Sequence, residues 1–353
     1  MNENASSSNL AAASNIPPAA GLSKKDFQSR QEVRWCPGCG DYAILNGVQT
    51  VFAKLGVPRE QLVVVSGIGC SSRLPYYVNS YGFHGIHGRA PGIATGLKLS
   101  RPELSVWVVT GDGDALSIGG NHLIHALRRN VGLKILLFDN RIYGLTKGQY
   151  SPTSEQGQKT ASTPLGSVEG PFNPVALALG AGATFVARTV DIYTVHLQEM
   201  LERAAHHRGA ALVHIYQNCN IFNNKAFAYM TEKEVRDDQQ IVLHQGAPLR
   251  FGKEMEKAIR RAEDGHLEII ALRPGETRSD LVIHDESRED PSLAFELSQL
   301  GPPRFPTPIG VFRDVDRPSY EEGVQGQITQ ARARHPASSL DDLLRRGEVW
   351  TVE

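Results

Sequence analysis

GDGDALSIGGNHLIHALRRNVGLKILLFDN, Gly111 to Asn140, is the stretch that decides the fold. It opens where the strand-like run SVWVVT (Ser105–Thr110) ends and crosses a helical pattern over Ile118–Arg129. It closes at the end of a second strand-like run, LKILLF (Leu133–Phe138). Strands joined through a helix lie parallel, so Asp112 and Asn140 are expected at the same edge of one sheet. A carboxylate and an amide oxygen placed there suit a hard cation such as Mg²⁺. Gly113 lets a pyrophosphate approach backbone N–H groups at a helix start. GDG by itself is also an ordinary tight turn with a helix cap, but the DN that follows 26 residues after Gly113 favours the cation site. The chain contains no GxxxxGK[ST], which excludes a P-loop.

The pattern continues on both sides of this stretch. Leu62–Val65 is a β-branched run ending before Gly67, as in a strand buried on both faces. Ala43–Leu55 places Ile44, Val48, Val51, Phe52 and Leu55 at helical spacing, and Pro91–Leu99 reads as a helix. Downstream come a helix near Pro174–Leu179, a strand near Thr184–Ala187, a helix over Ile192–His206 and a strand over Ala210–Tyr216. Alternation of this kind predicts an α/β fold with a doubly wound, mostly parallel sheet. Ligands of such sheets bind beyond the carboxyl ends of the strands. Residues 1–30 lack periodicity and read as a disordered or extended N-terminal arm, followed by a binding domain over 31–244. Residues 245–353, rich in Arg, Asp, Glu and Pro, read as a peripheral extension suited to an interface, with a last helix near Ser339–Arg346. No internal repeat is found.

Composition narrows the function. The 353 residues are 41% apolar and 21% charged, with a net charge of −1. That is ordinary for a soluble protein and lacks the basic excess of a nucleic-acid binder. No apolar run approaches the length of a membrane span. Residues 1–20 do not resemble a signal peptide, so the expected location is the cytoplasm. Four cysteines are too few for a disulfide scaffold. Cys36 and Cys39 form a CxxC before the first helix, Cys70 follows the first strand, and Cys219 follows the strand ending at Tyr216. A lone CxxC is a redox dithiol or half a zinc site. Four thiolates hold either a tetrahedral zinc or a [4Fe–4S] cluster, and spacing alone does not separate them. One compact pair plus two cysteines from separate sheet-edge loops leans towards a cluster beside an active site. His122 with His125, and His206 with His207, lack spaced partner carboxylates and are read as structural, as are Tyr76, Tyr77 and Phe83.

GDG followed by DN resembles the thiamine-diphosphate (ThDP) motif. With WCPGCG (Trp35–Gly40), GIGCSS (Gly67–Ser72), HGRAPGIATGLKLS (His87–Ser100), DNRIYGLTKGQYSPTS (Asp139–Ser154) and NCN (Asn218–Asn220), it resembles the β subunit of 2-oxoacid:ferredoxin oxidoreductases over about Val33 to Asn220. The resemblance implies Mg²⁺ on Asp112, Asn140 and the Ile142 carbonyl, and a [4Fe–4S] cluster on Cys36, Cys39, Cys70 and Cys219. It implies ThDP among Gly69, Cys70, Ser71, His87, Gly111, Asp112, Gly113, Asp114, Asn140, Ile142, Gly144 and Leu145. It further implies coenzyme A-linked oxidative decarboxylation of a 2-oxoacid, reversible as reductive carboxylation, with electrons leaving to ferredoxin. The pyrimidine-side glutamate lies on an α subunit in this family, so an (αβ)₂ assembly is expected. LTKGQ around Lys147 is similar to the dicarboxylate branch, and a guanidinium grips a carboxylate bidentately. Arg73 is therefore expected to read the distal carboxylate of 2-oxoglutarate, and Lys147 to help place substrate or coenzyme A, with His87 at the catalytic centre. Pyruvate or broad specificity, a non-redox ThDP lyase with a Cys₄ zinc site, and an electron-transfer subunit without ThDP are the competing readings.

Overall fold

The computed structural model describes residues 21–273, 275–276, 278–334, 339–348 and 350–352. Seven helices are labelled here: α1 Asp41–Lys54, α2 Leu74–Tyr77, α3 Ala90–Ser100, α4 Asp112–Leu116, α5 Gly120–Arg128, α6 Pro174–Gly180 and α7 Thr194–His206. The strands are β1 Leu62–Ser66, β2 Tyr81–His84, β3 Ser105–Gly111, β4 Leu133–Asp139, β5 Phe185–Val190, β6 Ala211–Tyr216, β7 Gln240–Val242, β8 Arg250–Phe251, β9 Lys257–Arg261, β10 Leu267–Ala271 and β11 Thr307–Asp314.

Eight strands form one sheet in the order β2-β1-β3-β4-β6-β5-β11-β7. Every pairing from β2 to β5 is parallel, and β11 runs antiparallel to β5. β1, β4, β5 and β6 are buried along their whole length, because helices cover both faces. On one face Val65, Val108, Ile135 and Leu212 pack against Ala94 of α3, Leu123 and Leu127 of α5 and Ala178 of α6. On the other, Val64, Val109, Leu136 and Val213 pack against Ile44, Val48 and Phe52 of α1 and Leu197 and Leu201 of α7. This is the α/β sheet expected, and it brings the ends of β1, β3, β4 and β6 to one edge.

The structure bears on two expectations about the chain's ends. Of the expected arm, residues 1–20 lie outside the described residues, but 21–30 are packed. Phe27, at the end of a 3₁₀ turn, is fully buried, with its ring 5.8 Å from that of Phe52. A single aromatic anchors that segment, and one residue leaves no periodicity to read. A domain boundary at 244/245 would cut the main sheet, since β11 sits between β5 and β7 with Ile309, Val311 and Phe312 buried. Among the described residues, β8, β9 and β10 form a separate antiparallel sheet. A short helix over Leu340–Leu344 falls where the last helix was expected. No helix among the described residues is long and apolar enough to cross a membrane.

Candidate active site

The loops beyond the carboxyl ends of β1, β3, β4 and β6 enclose one cavity. The β1 loop supplies Gly69, Cys70 and Ser71, and the segment after β2 supplies His87. Gly111, Asp112, Gly113 and Asp114 come from the end of β3 and the first turn of α4. Asn140, Ile142, Gly144 and Leu145 come from the loop after β4. Every residue expected at ThDP thus lines the same cavity. Asp41, Tyr143, Thr146 and Gln217 line it too and were not foreseen. No glutamate is among the described residues of its wall.

Asp112 is buried, and one of its oxygens, Oδ2, accepts hydrogen bonds from Ser151 Oγ and from Thr153 Oγ1 at 2.6 Å. Thr153 Oγ1 also stands 2.7 Å from Oδ1 of the buried Asp139. Burial and the charge of Asp139 push the Asp112 carboxyl up to about 7. Asp139 works against the upward push of its own burial. The His214 hydrogen bond and charge, and the Arg141 charge, hold it below the ordinary carboxylate value. A divalent cation on Asp112 would remove the repulsion that raises it, so the donor set fits Mg²⁺. Asn140 is fixed by Gln217, whose Oε1 accepts from Asn140 Nδ2 at 2.8 Å. Asn140 Oδ1 accepts from Ile142 N at 3.1 Å.

Asp114 lines the cavity and also ties its loops together. Its Oδ1 accepts from Ile68 N at 3.1 Å and Gly88 N at 2.8 Å, and its Oδ2 accepts from Thr110 Oγ1 at 2.7 Å. His87 Nδ1 lies 2.7 Å from Oδ1. One buried carboxylate thus ties the loops after β1, β2 and β3 together and lies beside His87, whose Nδ1 makes no aligned hydrogen bond. A Cβ at Gly67 would stand 1.9 Å from Asp114 Oδ2, so only glycine allows this approach. Gly113 has a comparable reason to be glycine. A Cβ there would fall 2.1 Å from the Tyr143 ring, whose hydroxyl donates to Gly113 O at 3.1 Å.

The four cysteines are unpaired. Among the described residues, no three His, Cys, Asp or Glu side chains are drawn together tightly enough to hold a metal ion. The thiols nevertheless face a common region. A Cβ at Gly144 would lie 3.5 Å from Cys219 Sγ and 3.8 Å from Cys70 Sγ. Burial first, then the charges of Asp41 and of neighbouring thiols, push Cys39 up and Cys70 up to about 11. Gln217 Nε2 donates to Cys39 Sγ at 3.2 Å, so one amide joins the CxxC to Asn140. Mutually repelling, half-buried sulfurs held by an N–H donor are chemistry that suits an electropositive iron–sulfur group. Asp41 also borders the cavity, and neither of its buried carboxylate oxygens has a partner. Burial pushes its carboxyl up to about 7.

The two cations expected to read substrate separate. Arg73 is half-buried and lines an adjoining cleft with Arg34, Tyr76 and His84, which meets the cofactor cavity at Ile68, Gly69 and Leu145. Its Nη1 donates to Arg34 O at 3.2 Å. Lys147 is exposed at φ +75° in the turn after Gly144 and lines neither cavity, so its placement lends no support to a role at the substrate.

Comparison with known proteins agrees with this geometry. Residues 67–215 match the thiamine pyrophosphate enzyme family, C-terminal TPP-binding domain. The 2-oxoglutarate oxidoreductase subunit KorB of Mycobacterium tuberculosis is 54% identical over 93% of this chain and 88% of its own length. The β subunit of 2-oxoacid:ferredoxin oxidoreductase 2 of Aeropyrum pernix is 48% identical over 56% of this chain and 64% of its own. Among solved structures, the 2-oxoglutarate:ferredoxin oxidoreductase of Magnetococcus marinus, with 2-oxoglutarate, coenzyme A and succinyl-CoA bound, superposes with a TM-score of 0.74. It is 33% identical and is matched over 94% of this chain and 97% of that one. The chain therefore belongs to the β subunits of the ThDP-dependent 2-oxoglutarate:ferredoxin oxidoreductases.

Proposed function

We propose that this subunit, with an α subunit, carries out coenzyme A-linked oxidative decarboxylation of 2-oxoglutarate and passes the electrons through one [4Fe–4S] cluster to ferredoxin. The observation that carries the reading is that the Asp112–Asn140 edge shares its cavity with Cys70, while Cys219 Sγ stands near the lining residue Gly144 and Cys39 Sγ accepts from the lining residue Gln217. ThDP, when bound, supplies the electron sink for decarboxylation. Asp112 and Asn140 hold the Mg²⁺ that neutralises its diphosphate, and Gly113 admits the diphosphate to the start of α4. Asp114 keeps the loops after β1, β2 and β3 in register, and His87 stands beside it in the cleft. Cys36, Cys39, Cys70 and Cys219 hold the cluster, and Cys70, which also lines the cofactor cavity, joins the two centres. Arg73 receives the distal carboxylate of the substrate from the adjoining cleft. Among the described residues the wall lacks a glutamate for the aminopyrimidine, which supports an α partner, and we take the assembly to be (αβ)₂. The same groups serve reductive carboxylation in the reverse direction.

The test is a double dissociation on the anaerobically co-purified complex. Asp112→Ala should lose ThDP and keep its iron, and Cys219→Ser should lose iron and keep ThDP. Full ThDP in the first variant would overturn the cofactor edge. A wild-type iron content and visible spectrum in the second would overturn the cluster.

A further inference from the structure

A second cavity meets the hydrogen-bond network of the cofactor edge at Asp139 and Thr153. It arises from charges set in strands that are otherwise apolar. Arg188 lies in β5 (FVARTV), and His214 lies opposite it in β6 (ALVHIY). Arg188 is only 3% exposed, yet no carboxylate lies within ion-pair distance of it among the described residues. Its Nε donates to His214 Nδ1 at 3.2 Å and its Nη1 to Pro308 O at 3.3 Å. Because Nδ1 accepts, the imidazole proton is on Nε2, which donates to Asp139 Oδ2 at 2.8 Å. The nearest carboxylate charge is therefore one imidazole away.

Arg141 comes from the loop after β4, its guanidinium carbon 6.0 Å from the centre of the Tyr216 ring. That of Arg188 is 5.4 Å from the same ring. Thr307 is 3% exposed, and its hydroxyl has no hydrogen-bond partner. All three residues line the cavity with Tyr229. The acidic groups facing it are Asp139 and Glu155. Asp139 is occupied by His214, Thr153 and the Arg141 N–H, and Glu155 by the Arg141 guanidinium.

We propose that the cavity walled by Arg141, Arg188, Tyr229 and Thr307 is a second binding site, for a small oxyanion. Carboxylate and phosphate share the chemistry that accepts from a remaining guanidinium N–H and a hydroxyl together, and both are available as free small molecules.

The experiment is calorimetric titration of the αβ complex saturated with ThDP and Mg²⁺, so that the diphosphate cavity is filled. The probes are inorganic phosphate and malonate. Saturable binding of one equivalent per β chain is expected for at least one probe, and the stronger probe identifies the class. Thr307→Val, which keeps shape and removes one donor, should weaken binding by about fivefold or more, and Arg188→Gln should abolish it. Absence of saturable binding of either probe to the wild type would overturn the proposal. So would an unchanged affinity in Thr307→Val, which decides the matter alone if Arg188→Gln does not fold.

Discussion

Thr153 has one hydroxyl proton and two carboxylates to serve, Asp112 at 2.6 Å and Asp139 at 2.7 Å. It cannot donate to both, and burial first, then the charge of Asp139, raise Asp112 to about 7. With the proposed Mg²⁺ in place, Thr153 would hold Asp112 in its ligating position. Thr153→Val should weaken ThDP binding in the presence of Mg²⁺ by about 10- to 100-fold, the loss of a hydrogen bond to a charged group. Thr153→Ser should restore it. A ThDP titration of the cofactor-stripped complex measures both, and equal affinity in all three proteins would leave Asp112 to Ser151 alone. Arg73 lends itself to a sharper residue-level prediction. A charge-assisted bond to the distal carboxylate is worth about 10- to 100-fold in kcat/KM. Arg73→Leu should therefore lose that factor on 2-oxoglutarate and keep or gain activity on 2-oxobutyrate, which lacks the carboxylate. Equal losses on both would assign Arg73 to supporting the loop through Arg34.

At the scale of elements, the starts of α1 and α4 each bury a carboxyl group. Asp41 and Asp112 are both raised from 3.8 to about 7 in the folded chain without ligands. The folded state therefore binds more protons than the unfolded state between about pH 4 and pH 7, and stability falls as pH rises through that window. On the proposed reading, Mg²⁺ with ThDP would favour the ionised form of Asp112 against burial and the charge of Asp139. The rise in Tm on adding them should be larger at about pH 7.5 than at about pH 5.5, and Asp112→Asn should flatten the difference. A pH-independent rise, measured by thermal denaturation of the complex, would contradict the charge assignment. These elements were legible because GDG, DN and the cysteines lie in short local stretches whose residue types the chemistry restricts. β11 was not legible. Its sequence TPIGVFRD mixes Pro308, Gly310 and Arg313 into a buried strand whose partner β5 is over a hundred residues earlier. Tyr143 and Gln217 escaped notice for another reason. Each adjoins a recognised motif, but its role depends on a contact with Gly113, Asn140 or Cys39 that only folding creates.

On the proposed reading the whole molecule is half of an active site. Its sheet presents the diphosphate edge and the cysteines, while its cavity wall contains no glutamate among the described residues. β2, the outermost strand beside that cavity, is exposed along its length, with Tyr81 and Phe83 open to solvent. The isolated chain should fold and show negligible 2-oxoacid oxidation. The most direct measurement is reduction of ferredoxin, or of a viologen, by the anaerobically co-purified α and β chains. The rate should depend on 2-oxoglutarate, coenzyme A and ThDP together, with succinyl-CoA formed. Reduction by the β chain alone, or succinyl-CoA formation by the complex without any reduced acceptor, would contradict the account.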